Sequence, residues 1–316
     1  MAQQTDWNTG DKNGLVDIGT TRLYLQVCGP DRIPNQTIVL IIPGLGCCAS
    51  SWAAVVRLLR PHMRVVIYDR AGLGKSEPSQ RRPNMCNILR DLKKLLEVTH
   101  IKPPFLIIAH SWGGVLAQQF IATSPPGNFS GLVLVEANNE HTLKILDWRV
   151  FVEWVNLFDI DYPKTLRIES RHRMLPVEWT EYLQDENGDG HKAQAKAENA
   201  EYALSFPLLA ANHPLDRQEP LLGAKPVSIL VGTNGRDLSM MYDTAVSRGF
   251  GTPDEVAYFK RWAANFGEID FRLQSEATKL STNHKVVQGP ENSGHNPHLT
   301  EPDAVAELVK STMSRV

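Results

Sequence analysis

Phe105-Leu106-Ile107-Ile108-Ala109-His110-Ser111-Trp112-Gly113-Gly114-Val115-Leu116-Ala117-Gln118-Gln119-Phe120-Ile121 carries most of what the chain says about its fold. Phe105 to Ile108 is short, continuous and apolar and ends in small residues, which predicts a buried strand. Val115 onward predicts a helix. Ser111 therefore sits on a sharp strand-to-helix turn that pushes its hydroxyl out of the sheet edge. A turn this tight needs small residues two before and two after the serine. Ala109 and Gly113 meet that need, with Ala109 taking the first glycine position of the nucleophile-elbow pattern G-x-S-x-G. Small-x-Ser-x-Gly is common by chance, but its place between a strand and a helix makes Ser111 the candidate nucleophile.

Outward from this stretch, strand-like and helix-like segments alternate. Leu15–Ile18 and Arg22–Cys28 alternate in polarity as an edge hairpin would. Thr37–Ile42, Val65–Tyr68, Gly131–Val135, Val227–Val231 and Lys285–Val287 are further strand candidates. Ser50–Leu59, Ile88–Val98 and Trp112–Thr123 read as helices between them. Strands apolar on both sides belong to a parallel sheet covered on both faces. The expected class is α/β, a mostly parallel, doubly wound, eight-stranded sheet. Right-handed crossovers then gather the strand C-termini on one edge. The alternation stops between about Asn138 and Pro220, where Trp148, Phe151, Trp154, Phe158, Tyr162, Trp179, Tyr182, Tyr202 and Phe206 stand in helical sequence without a strand. The expected organisation is a core of residues 1–137 and 221–316 with an inserted helical cap at 138–220. Most of these aromatics should be the cap's own core and a few should face a pocket.

Pro43-Gly44-Leu45-Gly46 follows a strand, as a loop that turns backbone N–H groups inward would. The expected oxyanion donors are the amides of Leu45 and Trp112. His295, in Ser293-Gly294-His295-Asn296-Pro297-His298, lies just beyond the last strand and is the candidate base. Gly294 frees the backbone for its approach, whereas His298 should pack or cap the helix that follows. The acid has two candidates. Glu136 directly ends the strand Leu132–Val135, where a charge is costly without a partner. Asp237 follows Val231-Gly232-Thr233-Asn234-Gly235-Arg236 on a looser loop and could instead be an N-cap. Glu136 is the first choice and Asp237 the alternative.

Two motifs mislead. Asp69-Arg70-Ala71-Gly72-Leu73-Gly74-Lys75-Ser76 ends like a P-loop but has Asp69 where the first glycine belongs, so it is expected to be structural. Asp185-Glu186-Asn187-Gly188-Asp189-Gly190 opens like a calcium loop but reaches Lys196 at its twelfth position, so it is expected to be an acidic surface turn.

The composition is that of an ordinary globular protein: 316 residues, 42% hydrophobic, 22% charged, net charge -2. No nucleic-acid partner is expected. No apolar run is long enough to span a bilayer, and polar Met1–Gly14 lacks a signal-peptide core, so a cytoplasmic location is expected. Asn35 and Asn128 begin glycosylation-like triplets, read as chance. Cys28, Cys47, Cys48 and Cys86 lack paired spacing and read as reduced thiols. No metal or cofactor is expected; the His295/His298 pair has no supporting carboxylate or Cys pair.

Together, Pro43–Gly46, Tyr68–Ser76, Ala109–Gly114 and Gly294–His298 resemble, in order, the motifs of the α/β-hydrolase fold superfamily. The resemblance covers nearly the whole chain outside the cap. It implies a serine nucleophile, a histidine base and an acid, with a pocket between sheet edge and cap. Most members place the acid after the strand matching Val227–Val231, and closer to its glycine than Asp237 is. A subset, with dehalogenase-like and lactonase-like members, places it where Glu136 stands. Trp112 is similar to the dehalogenase residue at that position, but those enzymes use Asp where this chain has Ser111, which argues against halide and epoxide chemistry.

The expected function is a serine hydrolase of a fairly apolar small ester, lactone or thioester, acting through an acyl-enzyme. The alternatives are a non-hydrolytic enzyme on the same fold (lyase, cyclase, acyltransferase or cofactor-free oxygenase) in secondary metabolism, and a non-catalytic ligand-binding protein.

Overall fold

The structure, a computed structural model, describes residues 5–158 and 160–316. The first four residues of the polar Met1–Gly14 stretch, and Asp159 within the expected cap, lie outside the described residues. In chain order the regular elements are β1 (Lys12–Asp17), β2 (Arg22–Cys28), β3 (Ile38–Ile42), α1 (Ala53–Leu59), β4 (Val65–Tyr68), α2 (Met85–Val98), β5 (Phe105–His110), α3 (Gly113–Ala122) and β6 (Phe129–Val135). There follow α4 (Thr142–Ile145), α5 (Arg149–Asn156), α6 (Tyr162–Thr165), α7 (Ile168–Arg171), α8 (Pro176–Asn187) and α9 (Asp189–Ala210). The chain ends with β7 (Val227–Val231), α10 (Asn234–Ser247), α11 (Pro253–Ser275), β8 (His284–Gln288), α12 (Pro297–Thr300) and α13 (Pro302–Met313).

The eight strands form one sheet in the order β1-β2-β4-β3-β5-β6-β7-β8. β2 runs antiparallel to both β1 and β4, and every pairing from β4 to β8 is parallel. The apolar runs are buried on both sides because alternate residues enter two different cores. Ile38, Leu40 and Ile42 of β3, with Phe105, Ile107 and Ala109 of β5, meet α2 and α3 on one face. Val39 and Ile41, with Leu106 and Ile108, meet α1 and α13 on the other. Each fully buried aliphatic side chain contributes roughly 1.5–3 kcal/mol, so these two layers dominate stability.

A third core lies over the C-terminal edge of the sheet. Phe151, Trp154 and Leu166, from the helices after β6, pack with Leu238, Met241, Phe259 and Phe266 from α10 and α11. The helical stretch after β6 matches the sequence reading. The helices α10 and α11 do not figure in it, although they form a second insertion, between β7 and β8. Among the described residues no helix is long and apolar enough to cross a membrane.

Candidate active site

Ser111 takes a left-handed backbone conformation, φ 52°, between β5 and α3. Its carbonyl accepts N–H bonds from Gly114 (2.9 Å) and Asn138 (3.0 Å), which locks the turn against the segment after β6. A Cβ at Gly113 would strike the carbonyl of Ile42, and one at Gly114 the carbonyl of Asn138. Packing against these neighbours, as well as chain reversal, demands the glycines. Glu136, at the end of adjacent β6, is also left-handed, φ 47°. A non-glycine residue there costs of order 1–2 kcal/mol, so two strained residues stand side by side on one sheet edge.

The structure brings Ser111, His295 and Glu136 into one hydrogen-bond chain. His295 Nε2 lies 3.1 Å from Ser111 Oγ, and its Nδ1 lies 3.2 Å from Glu136 Oε2. Nδ1 then carries the proton, with Nε2 left as acceptor for the serine hydroxyl. Glu136 is 2% exposed, and its Oε1 accepts from the Gly232 amide (2.7 Å) and from Gln274 Nε2 (2.9 Å). These donors offset the cost of burying its charge.

Asp237 lies in the first turn of α10, whose N-cap is Thr233, so it is not the cap. Its Oδ2 accepts the backbone N–H of His295 (2.9 Å), and Arg236 ion-pairs with it. It therefore holds the loop that carries the imidazole, whereas Glu136 meets the ring itself. A Cβ at Gly294 would collide with the Asp237 carboxylate. The glycine thus makes room for this contact, beyond freeing the backbone.

His298 is buried and stacks on Trp52 at 4.8 Å; burial pushes its pKa down to about 3. It packs and does not cap. His110, to which the sequence reading gave no role, donates from Nε2 to the His295 carbonyl (2.8 Å), and burial keeps its pKa well below the usual range.

The loop Pro43–Gly46 is held from two sides. Arg70 donates to the carbonyls of Pro43 (3.0 Å) and Gly44 (2.6 Å). Glu198 of α9, completely buried, pairs with Arg70 (2.6 Å) and accepts the Gly46 amide (2.9 Å). Among the described residues the amides of Leu45 and Trp112 have no hydrogen-bond partner. The Asp69–Ser76 segment closes on itself: Asp69 accepts from Lys75 N (2.9 Å), and its carbonyl accepts from Ser76 Oγ (2.7 Å). Its function is structural, with Arg70 reaching the site. Asp185 and Glu186 lie on α8, half-buried, and not on a surface turn.

A cavity of about 330 Å³ opens onto Ser111 and His295. Leu45, Leu146, Trp148, Val152, Leu238, Met241 and Phe266 give it a largely apolar wall. Of the aromatics after β6, Trp148, Tyr162 and Tyr202 line it, while Phe151 and Trp154 belong to the third core. Asn138, Asn296, Asp270 and Gln274 are its main polar groups near the hydrogen-bond chain. Cys47 also lines it, but burial pushes its thiol up to about 12, so it remains protonated beside the serine. All four cysteines are free. Outside the cavity, ligand atoms of Glu140, His141 and Asp216 lie within 4.8 Å of one another. His141 Nδ1 there hydrogen-bonds Glu276 (2.6 Å), and its Nε2 lies 3.6 Å from Asp216 Oδ2.

A Hormonema carpetanum protein named "Probable transporter efuK" is 29% identical over 98% of this chain, which spans 44% of that protein's length. An "AB hydrolase superfamily protein" of Gibberella zeae is 28% identical over 93% of this chain and 92% of its own length. The crystal structure of wild-type Cfl2 from Burkholderia cenocepacia covers 98% of each chain at 18% identity with a TM-score of 0.63, a likeness of fold. Residues 38–308 match the family described as "Alpha/beta hydrolase family". With its eight-stranded sheet and that match over most of its length, the chain belongs to the alpha/beta hydrolase family.

Proposed function

We propose that the protein is a serine hydrolase that cleaves an ester, lactone or thioester of a fairly apolar small molecule. The observation that carries this reading is the Ser111–His295–Glu136 hydrogen-bond chain facing an apolar cavity. In the reaction, Ser111 Oγ attacks the carbonyl carbon while His295 Nε2 takes its proton. The Leu45 and Trp112 amides receive the developing oxyanion. Collapse expels the alcohol or thiol, which leaves with the proton from His295, and the acyl group remains on Ser111. Water then enters, gives a proton to His295 and attacks the acyl carbon. The acid leaves, and the proton returns to Ser111. Glu136 holds the imidazole in the required tautomer and stabilises its charged form. In the same reading residues 138–220 act as a cap over the cavity, set on a core of 1–137 and 221–316. A fluorophosphonate probe should label the wild-type protein and leave Ser111→Ala unlabelled. The variant should also lose nearly all turnover across an ester and lactone panel. Retention of most activity in Ser111→Ala would point to chemistry driven by the His295 base alone.

A further inference from the structure

Glu136 is not the only carboxyl beside the cavity. Phe266, Asp270 and Gln274 recur every fourth residue on α11 and present one helix face to it. The two Nε2 hydrogens of Gln274 are shared, one to Glu136 Oε1 and one to Asp270 Oδ2, both at 2.9 Å. Glu136 receives two further donors, from Gly232 and His295. Asp270 receives no other, and among the described residues its Oδ1 has no hydrogen-bond partner. A residue only 9% exposed thus keeps one carboxyl oxygen unused beside an apolar wall. None of the steps written for hydrolysis uses it.

We propose that Asp270 is a substrate-binding residue, whose carboxyl hydrogen-bonds an uncharged oxygen substituent, hydroxyl or ketone, on the part of the substrate that lies against α11. The inference rests on the hydrolase reading only for the word substrate; the binding site stands on its own geometry. Two carboxyls tied to one amide do not share it as equals. Glu136 has the fuller set of donors, from Gly232, Gln274 and His295, while Asp270 has Gln274 alone. Burial, and then the neighbouring Glu136, push the Asp270 carboxyl well above the usual range, which favours its neutral form. A neutral carboxyl offers an O–H donor. A hydroxyl or ketone oxygen accepts from it. A purely hydrocarbon chain would leave the group buried and unpaired, at a loss of about tenfold in affinity. The preferred substrate is therefore an oxygenated acyl compound, apolar along most of its length, with one polar substituent beyond the reacting carbonyl.

The test is calorimetric binding of methyl hexanoate and a set of its monohydroxy and monoketo counterparts to Ser111→Ala, which removes turnover. At least one oxygenated ester should bind about tenfold more tightly than the parent, the discrimination expected when a buried polar group is left unpaired. The preference should survive in Ser111→Ala/Asp270→Asn, whose amide still donates, and vanish in Ser111→Ala/Asp270→Leu, where the parent ester no longer buries an unpaired carboxyl and should bind about tenfold more tightly than it does to Ser111→Ala. Asp270→Ala gives the same comparison should leucine disturb folding. An equal preference in the leucine variant, no preference in Ser111→Ala, or no binding of any of these esters overturns the proposal. Failure of fluorophosphonate labelling overturns the hydrolase reading instead and leaves these binding results to be judged alone.

Discussion

The two helical insertions over the sheet edge serve opposite halves of the site. The one after β6 acts through α9, where His191, Glu198, Tyr202 and Ser205 share a face. His191 Nδ1 accepts the Gly74 amide (3.0 Å), Glu198 holds Gly46 and Arg70, Tyr202 donates to Asn138 (3.0 Å), and Ser205 accepts Trp112 Nε1 (2.9 Å). These contacts fix the loops around the serine and the amides of Leu45 and Trp112. The insertion after β7 reaches the other half. Asp237 of α10 holds the backbone of His295, and Gln274 of α11 holds Glu136. Ser111's neighbours and the Pro43–Gly46 loop are braced by the helices after β6, and His295 and Glu136 by those after β7. Damage to either should therefore harm catalysis in a different way.

The largest expected effect separates the two carboxylates of the second half. Glu136→Gln should lower kcat by about 10³–10⁴-fold, because the amide cannot hold the imidazolium. Asp237→Asn should cost far less, since it touches the loop and not the ring. Steady-state kinetics with one ester decides between them, and a reversed order would make Asp237 the acid.

Next comes the brace on the first half. Glu198→Gln leaves the fully buried Arg70 charge unpaired and should destabilise the fold by about 3 kcal/mol, read by urea unfolding. It should also lower kcat by about tenfold with little change in KM, because the Gly46 loop loses an anchor while the cavity wall is untouched. Replacing both partners with methionine should recover much of the stability and little of the kcat. Recovery of both would make the ion pair a matter of folding alone.

Smaller still, Ser205→Ala removes the only partner among the described residues of the buried Trp112 indole N–H, at roughly 1 kcal/mol. Thermal unfolding should show the loss, with kcat falling less than in Glu198→Gln.

Least of all is a pH slope set in and beside the first insertion. Burial pushes Glu186 up to about 7 and Asp69 up to about 6. The folded chain then binds more protons than the unfolded one between the ordinary carboxylate range and neutrality. Stability should fall as pH rises through that window. Glu186→Gln should shallow the slope, with a melting temperature above wild type at pH 8 and close to it at pH 5. A parallel curve for the variant would contradict the assignment.

The sheet was legible because each central strand is a short apolar run with turn signals at its ends, and Ser111 because small residues flank it on both sides. His295 was legible from its place after the last strand. Asp270 and Gln274 were not. Gln274 meets Glu136 across 138 residues of chain, and nothing local marks it as a partner. Glu198 sits in a stretch of Lys, Gln, Glu and Ala that reads as a solvated helix face. Its burial is matched by Arg70, which arrives from the loop after β4, 128 residues earlier in the chain. The helix α11 did carry a signal: Thr252 and Glu255 form a capping box ahead of Phe259, Trp262 and Phe266 at helical spacing. The aromatic-rich stretch that suggested a cap over residues 138–220 ends before α10 and α11.

The most direct test is rapid-quench mass spectrometry of the protein mixed with a p-nitrophenyl ester. An adduct with the mass of the acyl group should appear on the peptide containing Ser111 during turnover and be absent from Ser111→Ala. Turnover that proceeds without any such adduct, and persists in the alanine variant, would contradict nucleophilic attack by Ser111.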